Sequence, residues 1–374
     1  MSRSGSDGHE NRQGSNDGAY TIAEILSQPL CWSTSLKQLQ ESGVLGKVAQ
    51  EFAGVNEWVF VGCGSSFYVA QAAAASMAEL SGKRVRALPA SELLLYPELA
   101  LAGSGSYAPV LISRSGRTSE VLKVAEALKA RGVKTIGISC APGQALEAVV
   151  THAIVLPAAD EQSTVMTRSF STMLLTLQAL AATVGGKPEF LRALEQIVGP
   201  AEKLSSSLPA RVREFVLHHA FEDYVCLAQG PLFGVASELA LKLTEMSVSY
   251  GQVFHTLEFR HGPKSIVSGK TLIMFLLSET SYKAEVEVLE EIKKLGGKTL
   301  VVTNHADTRA RAAADLLVEL GADGPELARV ALFPMTGQLL GLYTGLHKGH
   351  DPDRPKNLSR VVVLEEETSE HAAI

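Results

Sequence analysis

The chain has 374 residues, of which 46% are hydrophobic and 20% are charged. This composition can fill sizeable cores and excludes a disordered chain, and the length predicts two domains of ordinary size. The 34 Lys and Arg residues against 40 Asp and Glu residues give a net charge of −6, so no overall positive field is available for nucleic acid or an anionic membrane.

Four dispersed cysteines form no CxxC pair, and the N-terminus lacks a basic segment followed by an apolar one. The apolar stretches are shorter than the ~18 residues that a membrane-spanning helix needs. We therefore expect a cytoplasmic protein with no membrane and no nucleic-acid partner.

The first 46 residues divide into two parts. Residues 1–18 are mostly Gly, Ser, Asn, Asp and Arg, which predicts a disordered tail. Residues 19–46 have an amphipathic pattern that predicts short helices, with a break at Pro29.

Short apolar runs then alternate with longer helical patterns. This alternation predicts a parallel sheet covered by helices on both faces, which is a doubly wound α/β domain spanning 47–190. A long helix is predicted over 169–184. The predicted strands of this domain lie at 58–62, 85–88, 109–113, 135–139 and 153–157.

The same pattern occurs a second time, over 205–345. Residues 59–66 align with 225–232 at an offset of 166, which places Gly64 on Gly230, and the offset holds at Glu92 and Glu258. A repeat of this length predicts two homologous α/β domains rather than a solenoid. A helix over 334–347 and a tail over 346–374, expected to close the site, complete the chain.

Hydroxyl side chains follow two predicted strands of the first half. The turn after the first strand carries Ser65 and Ser66, and the turn after the third carries Ser113, Ser115 and Thr118. Strand ends that lead into helix N-termini suit anions, and hydroxyls can donate to phosphate oxygens. Each turn alone is more typical of helix capping, but two of them in one domain favour a phosphate site.

The second half differs at both turns, where Pro231, Leu232 and Glu279 stand, so we expect one phosphate pocket per chain. Its predicted helix carries Glu238, Lys242 and Glu245 on one face, and His261 follows. These groups could move protons between carbon and oxygen of a sugar. By spacing alone, a solvated ion-paired face and an ordinary histidine are the more common interpretations.

Six segments together resemble the SIS (sugar isomerase) family: GCGSS, LISRSGRTSEVL, TVMTRSF, ELALKLTEMS, EFRHGPKS and DPDRPKNL. The similarity is to tandem-domain members, namely the isomerase half of glucosamine-6-phosphate synthase and bacterial aminosugar-phosphate deaminase/isomerases of the tagatose-6-phosphate ketose/aldose isomerase type. It covers about 19–364 and implies two flavodoxin-like domains.

The resemblance also implies roles for individual residues. The hydroxyls of Ser65, Ser66, Ser113, Ser115 and Thr118 would bind the phosphate of a hexose 6-phosphate. Glu245 would move a proton between C1 and C2 with help from Lys242, and His261 of a neighbouring subunit would assist ring opening, which implies a homodimer with a composite site. Further substrate contacts are expected from Cys63, Gly64, Arg114, Met166, Thr167 and Arg360. From the residues alone, Cys63 is a small buried residue rather than a reactive thiol.

The chain departs from the synthase in two respects. It begins with a polar segment instead of a glutaminase domain, and Arg360 aligns with the lysine that forms a Schiff base there. Arg stays protonated and forms imines poorly. Met166 also occupies a place where the synthase has a serine.

We therefore predict an isomerase/deaminase of a hexose or aminohexose 6-phosphate that acts through a cis-enediol or enolamine without a metal ion or a cofactor. The alternatives are a fructosamine-6-phosphate deglycase, a glutamine-independent synthase-like protein and a non-catalytic sugar-phosphate sensor. The sensor is disfavoured because the chain carries no added DNA-binding pattern and keeps Glu245 and His261.

Overall fold

The computed structural model describes residues 17–101 and 106–362. The predicted disordered tail therefore lies outside the described residues except for Asp17 and Gly18. The part of the predicted closing tail after Val362 lies outside them as well. Gly18 is held in place, since its N–H donates to Asp351 Oδ1 over 3.0 Å.

Three helices form the N-terminal segment: α1 (Ala19–Leu26), α2 (Gln28–Ser42) and α3 (Val44–Glu51). The break between the first two falls at Ser27, so the prediction of a break at Pro29 was slightly misplaced. Pro29 lies in the first turn of α2, where a residue without an N–H interrupts no helical hydrogen bond.

The first half is built on a parallel sheet with strand order β2-β1-β3-β4-β5. Its elements are β1 (Glu57–Gly62), α4 (Ser65–Ser81), β2 (Arg84–Pro89), α5 (Ala90–Leu95), α6 (Pro97–Ala100), β3 (Tyr107–Ile112), α7 (Ser119–Ala130), β4 (Ile136–Ser139), α8 (Ala145–Val149), β5 (His152–Val155) and α9 (Arg168–Val184).

The second half repeats this topology with strand order β7-β6-β8-β9-β10. Its elements are α10 (Pro188–Gln196), α11 (Val198–Leu217), β6 (Asp223–Ala228), α12 (Phe233–Ser247), β7 (Gly251–His255), β8 (Thr271–Leu276), α13 (Tyr282–Lys294), β9 (Lys298–Thr303), α14 (Thr308–Ala313), β10 (Leu316–Glu319), α15 (Glu326–Arg329) and α16 (Pro334–His347). The predicted fold class, two doubly wound parallel sheets in tandem, is confirmed. The exact domain bounds stay a prediction.

The two sheets share a central core. The inner strands are apolar along their length because helices cover both faces, and all six residues of β8 are buried. Helices from both halves meet between the sheets, where α4 packs against α9 and α12, and α12 packs against α16.

Gly234 allows α12 to approach α4 closely. A Cβ at this position would lie 2.5 Å from the backbone nitrogen of Ala72, a separation that no side chain tolerates. The close approach brings the polar face of α12 to the first turn of α4, and so joins the second half to the strand ends of the first.

Among the described residues, no helix combines the length and the apolar composition needed to cross a lipid bilayer. All four cysteines lie in the described part of the chain, and each is a free thiol.

Candidate active site

A cavity of about 210 Å³ lies at the carboxyl ends of the first sheet's strands, which is where ligands bind in doubly wound folds. Both halves and the C-terminal tail contribute to it, and the structure brings most of the predicted site residues here. The residues that line it are Cys63, Gly64, Ser65, Ser66, Arg114, Ser115, Thr118, Glu120, Thr164, Met166, Glu245 and 358–362.

The first hydroxyl turn opens α4. Gly64 has φ +53°, a conformation that favours glycine, and it directs the chain from β1 into the helix. Ser65 and Ser66 occupy the first helical turn, where the helix dipole favours an anion. Ser66 Oγ lies 3.9 Å from Met166 Sδ, so the thioether closes one side of the cavity.

The second hydroxyl turn joins β3 to α7. Ser115 and Thr118 line the cavity, whereas Ser113 is only 1% exposed and does not. The hydroxyls of Ser113 and Thr118 share a hydrogen bond of 2.8 Å. The structure thus corrects the expectation of a direct phosphate contact from Ser113, which instead orients Thr118.

Cys63 directly follows β1 and lines the cavity. Burial, together with the nearby carboxylate of Glu120, raises the pKa of its thiol to about 11. A thiol of this kind stays protonated near neutral pH, which agrees with its interpretation as a small packed residue rather than a nucleophile.

Lys242 connects the two halves of the site. Its ammonium is fully buried, donates to Ser65 Oγ over 3.2 Å and pairs with Glu245 and with Glu238, the latter at 3.3 Å. Burial favours the neutral amine, but the two carboxylates outweigh it and raise the pKa of Lys242. Lys242 itself does not line the cavity, which it reaches through Ser65 and Glu245.

Glu238 and Glu245 differ in environment. Glu238 is fully buried, and burial raises its pKa to about 8 against the opposing effect of Lys242 and with a further rise from Glu245. Glu245 is partly exposed and lines the cavity. The interpretation of this helix face as a solvated ion-paired surface is therefore wrong, because α4 covers it.

His261 lies on the surface of the second half. It follows a short 3-10 turn over Glu258–Arg260, is exposed, and does not line the cavity of its own chain. Its contribution to the site of a neighbouring subunit stays a prediction.

Two buried carboxylates shape the loop before α9, and sequence reasoning missed both. Glu161 accepts hydrogen bonds from the Thr167 N–H at 2.6 Å and the Thr167 hydroxyl at 2.9 Å. Glu24 accepts from Ser163, and burial and then Glu161 raise its pKa. Thr167 is fully buried and does not line the cavity, so its expected substrate contact is corrected to a role in holding this loop. The one signal in the sequence was that Glu161 precedes the hydroxyl-rich start of α9.

The tail crosses the mouth of the cavity. The Asp353 carboxylate accepts from the Tyr20 and Thr21 N–H groups at 3.0 and 2.7 Å, which ties the tail to the start of α1. The Thr164 N–H donates to the Asp353 carbonyl over 3.1 Å. Arg360 lines the cavity and pairs with Asp160 at 2.8 Å.

In the second half, the region after β8 corresponds to the second hydroxyl turn of the first half, and it holds carboxylates of its own. Glu285 accepts from the Ser278 N–H at 2.8 Å and from the Thr256 hydroxyl at 3.1 Å. Glu326 accepts from the Glu279 N–H at 2.7 Å. Donors that would face an anion are occupied, which supports a single phosphate pocket in the first half.

Within residues 17–101 and 106–362, no group of three or more His, Cys, Asp or Glu side chains is arranged to hold a metal ion.

Two stretches of the chain, 51–183 and 224–336, match the family described as the SIS domain. The chain belongs to the SIS domain family. The matches fall on the two halves that the repeat predicted.

Two relatives of this SIS protein are named glutamine–fructose-6-phosphate aminotransferase (isomerizing). The one from Methanothermobacter thermautotrophicus is 24% identical over 347 residues, which cover 92% of this chain and 58% of the relative. The one from Aeropyrum pernix is 26% identical over 374 residues, which cover 92% of this chain and 57% of the relative. The chain thus spans a little under three fifths of the length of these relatives.

Solved structures share the fold of the SIS protein. A glucosamine-6-phosphate deaminase from Thermotoga maritima is 29% identical with a TM-score of 0.75, covering 92% of this chain and 100% of that one. A tagatose-6-phosphate ketose/aldose isomerase from Escherichia coli is 21% identical with a TM-score of 0.81, covering 96% of this chain and 100% of that one.

Proposed function

We propose that the protein is a phosphosugar aldose–ketose isomerase/deaminase that acts on a hexose or aminohexose 6-phosphate. One observation carries the proposal: the buried ammonium of Lys242 bonds both Ser65 of the hydroxyl turn and Glu245, and both line one cavity. A place suited to phosphate and a carboxylate base are thereby held together across the two halves.

The phosphate is proposed to lie against the first turn of α4. Ser65, Ser66, Ser115 and Thr118 would donate hydroxyls to its oxygens, and the positive end of the α4 dipole would favour its charge. This anchor fixes the position of the sugar carbons relative to Glu245, which is how an enzyme turns binding energy into orientation.

Glu245 is proposed to carry the proton. With the open-chain aldose bound, its carboxylate would remove the C2 proton and return it to C1, while electrons move through a cis-enediol to form the ketose. Negative charge develops on a substrate oxygen in this step, and the neighbouring Lys242 ammonium would stabilise it. His261 of a second copy is proposed to open the sugar ring beforehand.

With an aminohexose 6-phosphate, the same proton shift yields an imine at C2. Water adds to that carbon and the C–N bond breaks, so that aminohexose phosphate and water give ketose phosphate and ammonia. The name of the Thermotoga maritima relative supports this direction. Arg360 in the tail supports it too, because an arginine is a poor substitute for an imine-forming lysine.

The test combines two readouts on one panel of substrates. Ammonia release from glucosamine and galactosamine 6-phosphates is measured by a coupled assay, and interconversion of the matching hexose phosphates is followed in parallel. We expect turnover in at least one readout from the native protein. Binding of sugar phosphate without either reaction would instead indicate the deglycase or the sensor.

The variant Glu245→Gln tests the assigned base. The amide keeps the shape of the side chain but cannot accept the C2 proton, so we expect turnover to fall at least about 1000-fold. Thermal stabilisation by a sugar phosphate should persist. Glu98→Gln, at an exposed carboxylate on α6, is the control and should leave turnover unchanged. Full activity of Glu245→Gln would refute the role.

A further inference from the structure

Arg114 lies inside the second hydroxyl turn, between Ser113 and Ser115, yet its guanidinium is directed at the protein. The residue is only 6% exposed. Nη1 donates to the Thr164 carbonyl over 3.0 Å and lies 3.4 Å from Glu161 Oε2. Nη2 donates to the Arg360 carbonyl over 2.8 Å. One side chain therefore joins the loop before α9 to the tail.

The bond to Arg360 holds the part of the tail that covers the cavity, since residues 358–362 line its mouth. Two further contacts act on the same stretch. The Arg360 guanidinium pairs with Asp160, and the Ser119 N–H donates to the Val362 carbonyl over 3.4 Å. The side chains of the Arg360 pair are 43% and 38% exposed, and solvent-exposed pairs contribute little, so more of the docking rests on the bond from Arg114, which is only 6% exposed.

An arginine suits this place for a geometric reason. Its planar guanidinium presents several N–H donors in a fixed fork, so it can serve two carbonyls and one carboxylate at the same time. A lysine presents its three donors from one nitrogen atom and lacks the fork that spans these acceptors. The sequence position adds a second consequence, because any ligand that orders the turn at Ser115 and Thr118 also orders Arg114.

We propose that Arg114 is a positioning residue that holds the C-terminal tail over the cavity and couples tail docking to an anion in the hydroxyl turns. Arg114 also lines the cavity, so its direct contact with substrate stays a prediction beside this role. The tail contact rests on geometry alone, whereas the coupling rests on the phosphate site of the proposed function.

Limited trypsin digestion of the full chain measures tail docking without any turnover. Lys356 and Arg360 are exposed and mark the tail, and mass spectrometry follows cleavage after each. In Arg114→Met we expect cleavage at both sites to be about tenfold faster, because the charged hydrogen bond to the Arg360 carbonyl no longer opposes opening. Inorganic phosphate should slow tail cleavage in the native protein and have little effect in the variant.

Two further variants make the comparison specific. Arg117→Met changes an exposed arginine of the same turn and should be cleaved at the native rate. Arg114→Lys should give an intermediate rate, and it decides the question if Arg114→Met loses its cooperative thermal transition. Cleavage at sites outside the tail serves as the internal reference for global unfolding.

If both Arg114 variants are cleaved in the tail at the rate of the native protein, the positioning role is overturned. Equal protection of native protein and Arg114→Met by phosphate would overturn the coupling. Because the digestion uses inorganic phosphate and no substrate, absence of sugar-phosphate turnover would count against the proposed function alone and would leave this comparison decisive.

Discussion

The buried carboxyl of Glu238 predicts a specific dependence of stability on pH. Its pKa stands at about 8 in the fold, chiefly through burial, against an ordinary value of 4.5. Between these two values the unfolded chain releases this proton while the folded chain keeps it. Unfolding is then favoured as the pH rises, so this group lowers stability progressively from about pH 4.5 to about pH 8.

The size of the effect follows from the same two values. One pKa unit corresponds to about 1.4 kcal/mol, so the whole interval is worth roughly 3 to 5 kcal/mol. Glu238→Gln replaces the protonated carboxyl by an amide of the same shape and cannot titrate. The free energy of unfolding of Glu238→Gln minus that of the native protein should therefore rise by about this amount across the interval.

Urea unfolding at about pH 5 and about pH 8, on native protein and Glu238→Gln, measures the difference directly. Glu98 is exposed, so the free energy of unfolding of Glu98→Gln minus that of the native protein should not change with pH. If the Glu238→Gln difference is equally flat, Glu238 is ionised in the fold. The Lys242 ammonium would then form ion pairs with two carboxylates rather than mainly with that of Glu245.

Three further substitutions, one of them with a matched control, test other parts of the structure. Thr167→Val removes a hydroxyl donor from buried Glu161 and should cost about 1–3 kcal/mol in urea unfolding; lost turnover at unchanged stability would restore a substrate contact. Ser115→Ala should raise KM about tenfold with little change in kcat, and its second-half counterpart Thr280→Ala should not raise KM. Gly234→Val places a side chain against the α4 backbone and should lower stability by at least about 2 kcal/mol together with turnover.

The sequence predicted most of the fold because the signals were local and periodic. Apolar runs of four to six residues marked strands that the sheet buries on both faces, and the internal repeat fixed the element order of the second half. The break near Pro29 was misplaced by two residues, since proline fits the first turn of a helix as well as it fits a break.

The sequence predicted the site residues whose positions are determined by strand ends. It did not predict those whose side-chain contacts depend on burial. Ser65, Ser66, Ser115 and Thr118 reached the cavity as the turns implied. Whether the face of α12 that carries Lys242 is solvated depended on the approach of α4, which a helical spacing does not encode.

Contacts between distant parts of the chain explain the remaining differences. Arg114 meets the carbonyl of a residue 246 positions later in the sequence, and no local pattern announces such a partner. The Thr167 hydroxyl donates to buried Glu161 instead of facing the cavity. A motif placed these residues near the site, but only the fold shows which atoms they contact.

The internal repeat also bears on the prediction of one anion pocket per chain. At a sequence offset of 165, Glu120 aligns with Glu285 and Thr118 aligns with Lys283. Glu285 accepts from its own loop and from Thr256, whereas Glu120 lines the open cavity, where Ala90 replaces that threonine. In the second half, carboxylates of the protein accept from the Ser278 and Glu279 N–H groups. In the first half, the Ser113 N–H donates to the Ile138 carbonyl instead, and Ser115 and Thr118 line the cavity. The duplicated fold thus supplies a phosphate-type turn twice, closes one copy with its own side chains, and leaves α12 of the closed copy to bring Lys242 and Glu245 to the open one.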